Sequence, residues 1–388
     1  MLDFRFISPT RFVFGRNAES ALSAEAAKIG PRILLHYGGG SIKKSGLYDR
    51  VKASLAEAGA ECFELGGVQP NPALSLVREG IGLCRAEGIT GILAVGGGSV
   101  IDSAKAIAIG VPYEGDVWDF FTGRAEADAV LPVGVILTIP AAGSEGSTGT
   151  VVTDYEVRSK FAYNSDLLRP AFALMNPELT FTLPPYQTAA GVVDMISHVM
   201  ERYFTQTESV DLTDGLCETV IRSIVKAAPR VFENPEDYEA RATIMWAGTI
   251  AHNNLVGLGR QDDWASHDIE HELSAQYDVA HGAGLAVVFP AWMKYVYREN
   301  VQRFVQFAVR VWNVDYTAGE EEAAALEGIR RHKAFYESIG MPTSLPALGV
   351  TDDRYEAMAG QATRNGPLGS FKKLAAEDVV AIYKLAAG

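Results

Sequence analysis

The first half of the chain alternates short apolar runs with amphipathic segments. The runs are RILLHYG, ECFELGG, GILAVGGG and PVGVILTIPA, and the segments GLYDRVKASLAEAG and ALSLVREGIGLCRAEG separate the first three of them. Apolar, partly β-branched runs that alternate with helical periodicity are typical of a parallel sheet flanked by helices. Farther on, VVTDYEVRSKFAY has a period of two and predicts a hairpin, which RPAFALMNP follows.

The pattern changes after Pro184 and Pro185. From QTAAGVVDMISHVMERYF onward the apolar positions keep a helical period, with almost no strand-like alternation. We therefore predict an α/β domain at residues 1–185 and an all-α domain at residues 186–388, with the turn-rich NPELTFTLPPY at the boundary.

A glycine run follows the apolar run GILAV: Gly96, Gly97, Gly98 and Ser99 precede the helix-like VIDSAKAIA. Glycines between a parallel strand and a helix expose backbone N–H groups, and the helix dipole there favours negative charge. Ser99 would either cap the helix or donate to a phosphate oxygen. The run predicts a diphosphate site, although a tight turn without a ligand gives a similar pattern and no GxGxxG fingerprint is present.

A second glycine run, Gly38, Gly39, Gly40 and Ser41, ends RILLHYG. In a nucleotide-binding sheet this position contacts the adenosine ribose, and an Asp or Glu there usually selects a cofactor without a 2′-phosphate. This run has no carboxylate, and Lys43 and Lys44 follow it. The loop therefore predicts NADP(H). The alternative is that both lysines are solvated residues at a helix start, which is the favoured interpretation for Lys44.

Histidines and acids recur at helical spacing in the second half. Asp194 and His198 are four residues apart, as are His267 and His271, and His281 lies beside small residues. Each pair alone is compatible with a surface pair. Both segments are otherwise apolar, however, and burial of several ionisable groups is costly unless they are paired or bound to a metal. One carboxylate with three imidazoles would suit Zn²⁺ or Fe²⁺. The remaining histidines lack such ionisable neighbours in the sequence and are expected to be structural or exposed: His36, His252 and His332.

Composition excludes other classes. The formal net charge is −14 over 388 residues and the basic residues do not cluster, which argues against nucleic-acid binding. The first apolar stretch contains charges, and no window approaches 18 uninterrupted apolar residues, so we expect a cytoplasmic protein without membrane association. The three cysteines form no CxxC pair and predict neither a disulfide framework nor a thiolate metal site.

Taken together, GGGSVIDSAK, NPELTFTLPP, Asp194 with His198, and WASHDIEHELSAQYDVAHGAGLA resemble the iron-containing (group III) alcohol dehydrogenase family. GGGSIKKSG and QPNP are most similar to its NADPH-dependent butanol dehydrogenase and broad-specificity aldehyde reductase branch. The resemblance extends from about Phe4 to the C-terminus. It implies an N-terminal dinucleotide-binding domain, a helical domain, a metal in the cleft between them and a homodimer.

The resemblance also implies roles for single residues. The metal ligands would be Asp194, His198, His267 and His281, with His271 beside the substrate as the candidate proton relay. Gly96 to Ser99 would bind the pyrophosphate. The remaining cofactor contacts would be Asp102 near the nicotinamide, Thr138, Lys160 and Leu179. The family's hydroxyl-rich loop is represented here by the shorter IPAAGSEGS, residues 139–147, so individual threonine contacts do not transfer.

The expected activity is metal-dependent reduction of small to medium aliphatic aldehydes, or oxidation of the matching primary alcohols, with NADP(H). Two alternatives remain open at the level of sequence. One is a lyase similar to dehydroquinate synthase, which would need a basic cluster for its phosphate-bearing substrate, and none lies near the candidate ligands. The other is an inactive metal- and nucleotide-binding subunit, against which the complete ligand set argues.

Overall fold

The computed structural model describes all residues, 1–388. The chain forms two compact units: the sheet unit, Ile7–Leu183, and the helical unit, Pro184–Gly388 together with Met1–Phe6. The division after Leu183 lies two residues before the boundary predicted from sequence. The first six residues differ from the prediction, because the Leu2 N–H donates to the carbonyl of Gly259 (2.8 Å) and the segment packs with the helical unit.

The sheet unit contains a six-stranded sheet in which every paired strand is parallel. Its strand order is β1-β8-β5-β4-β2-β3. The strands are β1 (Arg11–Phe14), β2 (Arg32–Tyr37), β3 (Glu61–Leu65), β4 (Gly91–Gly97), β5 (Val133–Ile139) and β8 (Phe172–Met175), while β6 (Gly149–Asp154) and β7 (Ser159–Asn164) pair antiparallel in a hairpin. The parallel sheet and the hairpin predicted from sequence are confirmed. The short β1 was not predicted, because its four residues lie at the sheet edge and show no alternation of burial.

Six helices accompany the sheet: α1 (Leu22–Ala26), α2 (Ser41–Lys44), α3 (Leu47–Glu57), α4 (Leu74–Glu87), α5 (Gly98–Gly110) and α6 (Trp118–Phe121). β4 is buried along its whole length and α5 begins directly after it. Ten of the thirteen residues of α5 are buried, which agrees with its position against the central strands. The first glycine run therefore spans the end of β4 and the start of α5, and the second run follows β2. Because β2 and β4 are hydrogen-bonded neighbours, both runs lie at the carboxyl edge of the sheet.

The helical unit contains ten α-helices and no strand. They are α7 (Pro185–Tyr203), α8 (Asp211–Glu233), α9 (Tyr238–His252), α10 (Ala265–Tyr277), α11 (His281–Val296), α12 (Val301–Trp312), α13 (Glu321–Ser338), α14 (Leu345–Leu348), α15 (Tyr355–Ala362) and α16 (Ala376–Ala387). One apolar core joins them, with α7 and α11 contributing almost continuously buried segments. No helix combines the length and the apolar character needed to cross a bilayer.

Candidate active site

The helix α7 places Asp194, His198 and Glu201 on one face, because residues at i, i+4 and i+7 align along a helix. All three side chains are buried. The Nδ1 of His198 lies 3.5 Å from the Oδ1 of Asp194. Three ionisable side chains are therefore buried on one helix, which is costly unless other groups compensate them.

Two further helices bring imidazoles to the same carboxylate. The Nε2 of His267, on α10, lies 4.0 Å from Asp194 Oδ1, and the Nε2 of His281, at the start of α11, lies 3.8 Å from it. Asp194, His267 and His281 each place a potential ligand atom within 4.8 Å of the other two. His198 adjoins this cluster through Asp194, and its ring lies on that of His267 with centroids 4.7 Å apart.

Close backbone packing makes this convergence of α7 and α11 feasible. A Cβ on Gly282 would overlap the backbone carbonyl of Ala190, on α7. Only glycine at this position allows the first turn of α11, which carries His281, to approach α7 so closely. The sequence indicated that small residues beside His281 leave room, and in the structure that room is filled by another helix.

Two buried glutamates that sequence analysis missed contact these imidazoles. Glu201 Oε1 accepts from His267 Nδ1 (2.7 Å) and from the His267 backbone N–H (3.0 Å), while Oε2 accepts from the Trp264 N–H (2.8 Å). Glu270 Oε2 accepts from His281 Nδ1. Both glutamates have no exposed surface. Their spacing is the signal that was available: Glu201 follows Asp194 by seven residues, and Glu270 follows His267 by three.

Burial dominates the electrostatics of this cluster. Burial raises the pKa of Glu201 to about 8, against the lowering effect of its backbone hydrogen bonds and the Arg202 charge. Burial also lowers the pKa of His198 well below its usual value, and neighbouring His252, His267 and Arg202 add to that effect. His198 is therefore neutral at physiological pH, the form in which imidazole binds a metal.

Trp264 forms the wall of the cluster beside His198 and His267. Its ring centroid is 5.9 Å from that of His198 and 5.1 Å from that of His267. Its backbone has φ of 66°, a strained value for a bulky residue. The hydrogen bond from its N–H to Glu201 and the Arg202 guanidinium 4.7 Å above its ring hold this conformation.

The expectation that His252 lacks ionisable neighbours is wrong, because it contacts His198 and Arg202. Its ring centroid is 4.1 Å from that of His198, and Arg202 donates to its Nδ1 (3.2 Å). The residues four and seven positions before His252 on α9 did not indicate this contact, because it is made with another helix, α7. The other two expectations hold: His36 is buried and bonded to the Leu65 carbonyl and Ser103 Oγ (2.8 Å each), and His332 is buried in the helical core.

The residues present fit a divalent metal. One carboxylate and three imidazoles form a donor set of the type that Zn²⁺ and Fe²⁺ accept. The Nδ1 of His198 is buried without a hydrogen-bond partner, which is unfavourable in a protein interior unless another group binds it. The carboxylate partners of His267 and His281 direct the Nε2 atoms of both rings towards Asp194, an arrangement common around metal-binding histidines.

His271, the candidate proton relay, lies on α10 one turn after His267 and is partly exposed. Its ring centroid is 5.5 Å from that of His281, and Glu270, His271 and His281 also bring potential ligand atoms within 4.8 Å of one another. The role of His271 as a proton relay stays a prediction.

In the sheet unit, Gly96, Gly97 and Gly98 are needed for packing. A Cβ on Gly96 would overlap Val100, one on Gly97 would lie 2.7 Å from the Cβ of Ile139, and one on Gly98 would lie 3.0 Å from the Cβ of Ala142. Ser99 does not cap α5, because Gly97 occupies the cap position and makes no side-chain bond. The first turn of α5 contains no acidic residue, so its N–H groups remain compatible with a diphosphate.

Asp102, expected near the nicotinamide, is bound on both oxygens within the sheet unit. Oδ1 accepts from Ser144 Oγ (2.6 Å) and Oδ2 accepts from the Val151 N–H (3.0 Å). One turn later, the buried Lys105 donates to the carbonyls of Ser147 (3.0 Å) and Gly149 (2.9 Å). Burial raises the pKa of Asp102 and lowers that of Lys105 to about 8. Together they fasten the second half of the shortened 139–147 loop and the start of β6 to α5.

The loop of Gly38, Gly39, Gly40 and Ser41 differs from the first glycine run. A Cβ on Gly39 or Gly40 would meet no atom within 4 Å, and neither residue has a positive φ that would require glycine. Packing therefore gives no reason for these two glycines, which agrees with a loop whose backbone a ligand approaches. Lys43 lies 5.1 Å above the Tyr37 ring and 4.9 Å from the Tyr48 ring.

The remaining candidate cofactor residues lie on separate elements of the sheet unit. Thr138 is in β5 and is partly exposed, Lys160 is buried in β7, and Leu179 lies in a short 3-10 helix, Pro177–Thr180. Their contacts with a cofactor stay predictions.

Comparison with known proteins matches both units. Residues 9–177 match the family model described as iron-containing alcohol dehydrogenase, and residues 188–387 match the model of the C-terminal part of the Fe-containing alcohol dehydrogenase family. The probable NADH-dependent butanol dehydrogenase 1 of Bacillus subtilis is 44% identical over 384 residues, 99% of either chain. The NADPH-dependent aldehyde reductase YqhD of Escherichia coli is 36% identical over 369 residues, 94% of either chain.

Solved structures give the same result. The crystal structure of NADH-dependent butanol dehydrogenase A from Thermotoga maritima matches with a TM-score of 0.96 and 42% identity, covering 100% of this chain and 99% of that one. With both halves matched by family models and relatives of this identity aligned over nearly the full length, the chain belongs to the iron-containing alcohol dehydrogenase family.

Proposed function

We propose that this protein is a metal-dependent, NADP(H)-linked alcohol dehydrogenase that reduces small to medium aliphatic aldehydes. The observation that supports it best is the convergence of Asp194, His267 and His281 from three helices, with His198 beside them, in the interior of the helical unit. The relatives named as butanol dehydrogenases and as an aldehyde reductase support the reaction class.

The four side chains Asp194, His198, His267 and His281 would hold one divalent ion, Fe²⁺ or Zn²⁺. Such an ion supplies a Lewis acid for the carbonyl oxygen, and reduced nicotinamide supplies the hydride. The residues of the chain provide orientation and proton transfer. His271, partly exposed beside His281, would deliver the proton that the nascent alcohol oxygen requires, from a ring nitrogen directly or through water.

The charged groups beside the cluster favour an uncharged substrate. Arg202 is a cation beside the cluster, but it is buried. Its guanidinium donates to the His198 carbonyl (2.7 Å) and to His252, and its Nε lies 3.6 Å from Asp262. An arginine committed in this way has little capacity to bind a substrate carboxylate. Trp264 supplies an apolar surface instead, and apolar walls discriminate weakly between chain lengths, because one methylene contributes only about 1–3 kcal/mol.

The preference for NADPH rests on the loop after β2. That loop contains no carboxylate, and the exposed Lys43 lies in α2, the short helix that follows it. The neighbouring strand does carry an acid, Glu64, but its Oε1 accepts from Tyr48 (2.7 Å) and Lys52 (2.8 Å), and the Lys52 charge offsets its own. The names of the relatives include both NADH and NADPH, so the choice for this chain depends on its own loop.

The decisive experiment follows nicotinamide absorbance with the purified metal-loaded protein, NADPH or NADH, and aldehydes from acetaldehyde to hexanal. We expect turnover across the series with a shallow dependence on chain length, and aldehyde reduction faster than alcohol oxidation at neutral pH. Succinic semialdehyde serves as the charged comparison and should be a poor substrate. Absence of turnover with every aldehyde would favour the lyase or the inactive-subunit alternative, and a sharp optimum for the charged aldehyde would contradict the substrate class.

A further inference from the structure

We propose that Glu201 and Glu270 are positioning residues that hold His267 and His281 in the tautomer whose Nε2 faces Asp194. This inference rests on the proposed metal centre, because the Nε2 atoms are the ones that would bind the ion. The two pairs are independent: one links α7 to α10 and the other links α10 to α11.

The tautomer follows from the donor and acceptor roles of the groups. An ionised carboxylate, the form that a nearby cation favours, accepts hydrogen bonds and does not donate them. A contact with it at Nδ1 therefore fixes the proton on that nitrogen and leaves the lone pair on Nε2. His267 Nδ1 lies 2.7 Å from Glu201 Oε1, and His281 Nδ1 contacts Glu270 Oε2. Without these partners, a neutral imidazole can carry its proton on Nε2. Its Nε2 then has no lone pair with which to bind the metal beside Asp194.

Neighbouring residues hold the Glu270 carboxylate by a hydrogen bond and leave space for it. Ser274 donates to Glu270 Oε1 (2.5 Å), and this hydroxyl also lies 3.3 Å from the Val279 carbonyl. On the facing helix, a Cβ on Gly284 would overlap Oε1 and lie 2.7 Å from Cγ of Glu270. Gly284 lies inside α11, where glycine is about 1 kcal/mol less favourable than alanine. The glycine thus provides the volume that the carboxylate occupies.

Glu270 is the better residue to test, because Glu201 has a second task. Glu201 also accepts from the backbone N–H groups of Trp264 and His267 at the start of α10, so its substitution would disturb the helix itself. At position 270 the isosteric Gln is well tolerated: its carbonyl still accepts from His281 Nδ1, and Ser274 reverses to accept from the amide while donating to Val279.

The experiment compares E270L, E270Q and G284A with the wild type, and uses E272Q as the matched control. Glu272 is equally buried on the same helix but contacts neither candidate histidine. The first readout is Zn²⁺ affinity, measured by competition with a fluorescent chelator on metal-stripped protein. E270L should weaken Zn²⁺ binding by about 10- to 100-fold, and E270Q should weaken it less. G284A should also weaken Zn²⁺ binding, because the added methyl group displaces the carboxylate of Glu270. E272Q should leave the affinity unchanged.

The second readout is the tautomer of His281 in the metal-free protein, from ¹⁵N NMR at alkaline pH with the signal assigned by its loss in H281Q. Wild type and E270Q should hold the proton on Nδ1, whereas E270L and G284A should show Nε2 protonation. A merely structural role for Glu270 would not move this signal.

A wild-type affinity and an unchanged tautomer in E270L would overturn the proposal. If E270L fails to fold, an unchanged His281 tautomer in folded G284A would also overturn the proposal. Wild-type protein that binds no Zn²⁺ and shows no turnover with Fe²⁺ or Zn²⁺ would instead refute the proposed function, and the tautomer of His281 would still test the positioning role.

Discussion

At the scale of single residues, His281 and His271 separate metal binding from proton transfer. His281 Nε2 points at Asp194 and is a proposed ligand, whereas His271 is a partly exposed neighbour. H281A should lose metal by at least ~100-fold in affinity, beyond the usual cost of an outer-shell partner, and should lose turnover with it. H271A, the control, should keep its metal and lose turnover alone. Elemental analysis of both variants is the measurement, and full occupancy in H281A would refute the ligand assignment.

Gly39 offers a second test at this scale, on cofactor choice. A side chain there meets no atom within 4 Å, so G39D should fold normally and introduce a carboxylate where a 2′-phosphate is expected. Repulsion should shift the ratio of kcat/KM for NADPH over NADH towards NADH by about 10- to 100-fold, equivalent to about 1–3 kcal/mol. G39N is the uncharged control and should shift the ratio much less. A wild-type preference for NADH would show that the loop after β2 does not select the phosphate.

At the scale of elements, Lys105 joins α5 to the start of β6. Its ammonium donates to the carbonyls of Ser147 and Gly149 from a fully buried position. K105M leaves both acceptors without the donor and should destabilise the sheet unit by about 2–4 kcal/mol. Amide exchange at residues 149–151 should accelerate, and the KM for the cofactor should rise. The exposed K44M is the control, and unchanged exchange in K105M would show that other contacts suffice to hold the segment.

At the scale of the whole molecule, buried neutral histidines make stability depend on pH. Burial lowers the pKa of His332 to about 3, among Phe307, Trp312 and Tyr336. Because the unfolded state takes up a proton near pH 6.5 and the folded state does not, this stability is present above pH 6.5 and is lost as the pH falls towards 3. At pH 5 the loss should be about 2 kcal/mol.

Denaturant unfolding of H332F and wild type at pH 7 and pH 5 measures this contribution. The wild type should lose more stability than H332F between the two values, while F307L, a substitution in the same cluster without a titratable group, should follow the wild type. Equal losses in H332F and wild type would show that His332 is protonated in the folded state.

The sequence determined the class of each unit by local patterns. Apolar runs alternating with amphipathic segments predicted the parallel sheet, and helical periodicity after Pro185 predicted the helical unit, because burial on one or both faces imposes those periods. The spacing of Asp194 and His198 likewise placed both on one face of α7. The edge strand β1 escaped prediction because four half-exposed residues carry no period.

Only the tertiary structure decided which groups meet. The contacts of the site join residues 50 or more positions apart, or residues on different helices. They include the approach of α7, α10 and α11, the contacts of Glu201 and Glu270 with the imidazoles, and the contact of His252 with His198. Periodicity states which face of an element is buried but not what that face contacts. The same limit applies to the glycines: Gly96 and Gly97 are required by packing and Gly39 is not, although the letters of the two runs are identical. Contacts between segments distant in the sequence decide how much space each glycine has, and therefore whether packing requires it.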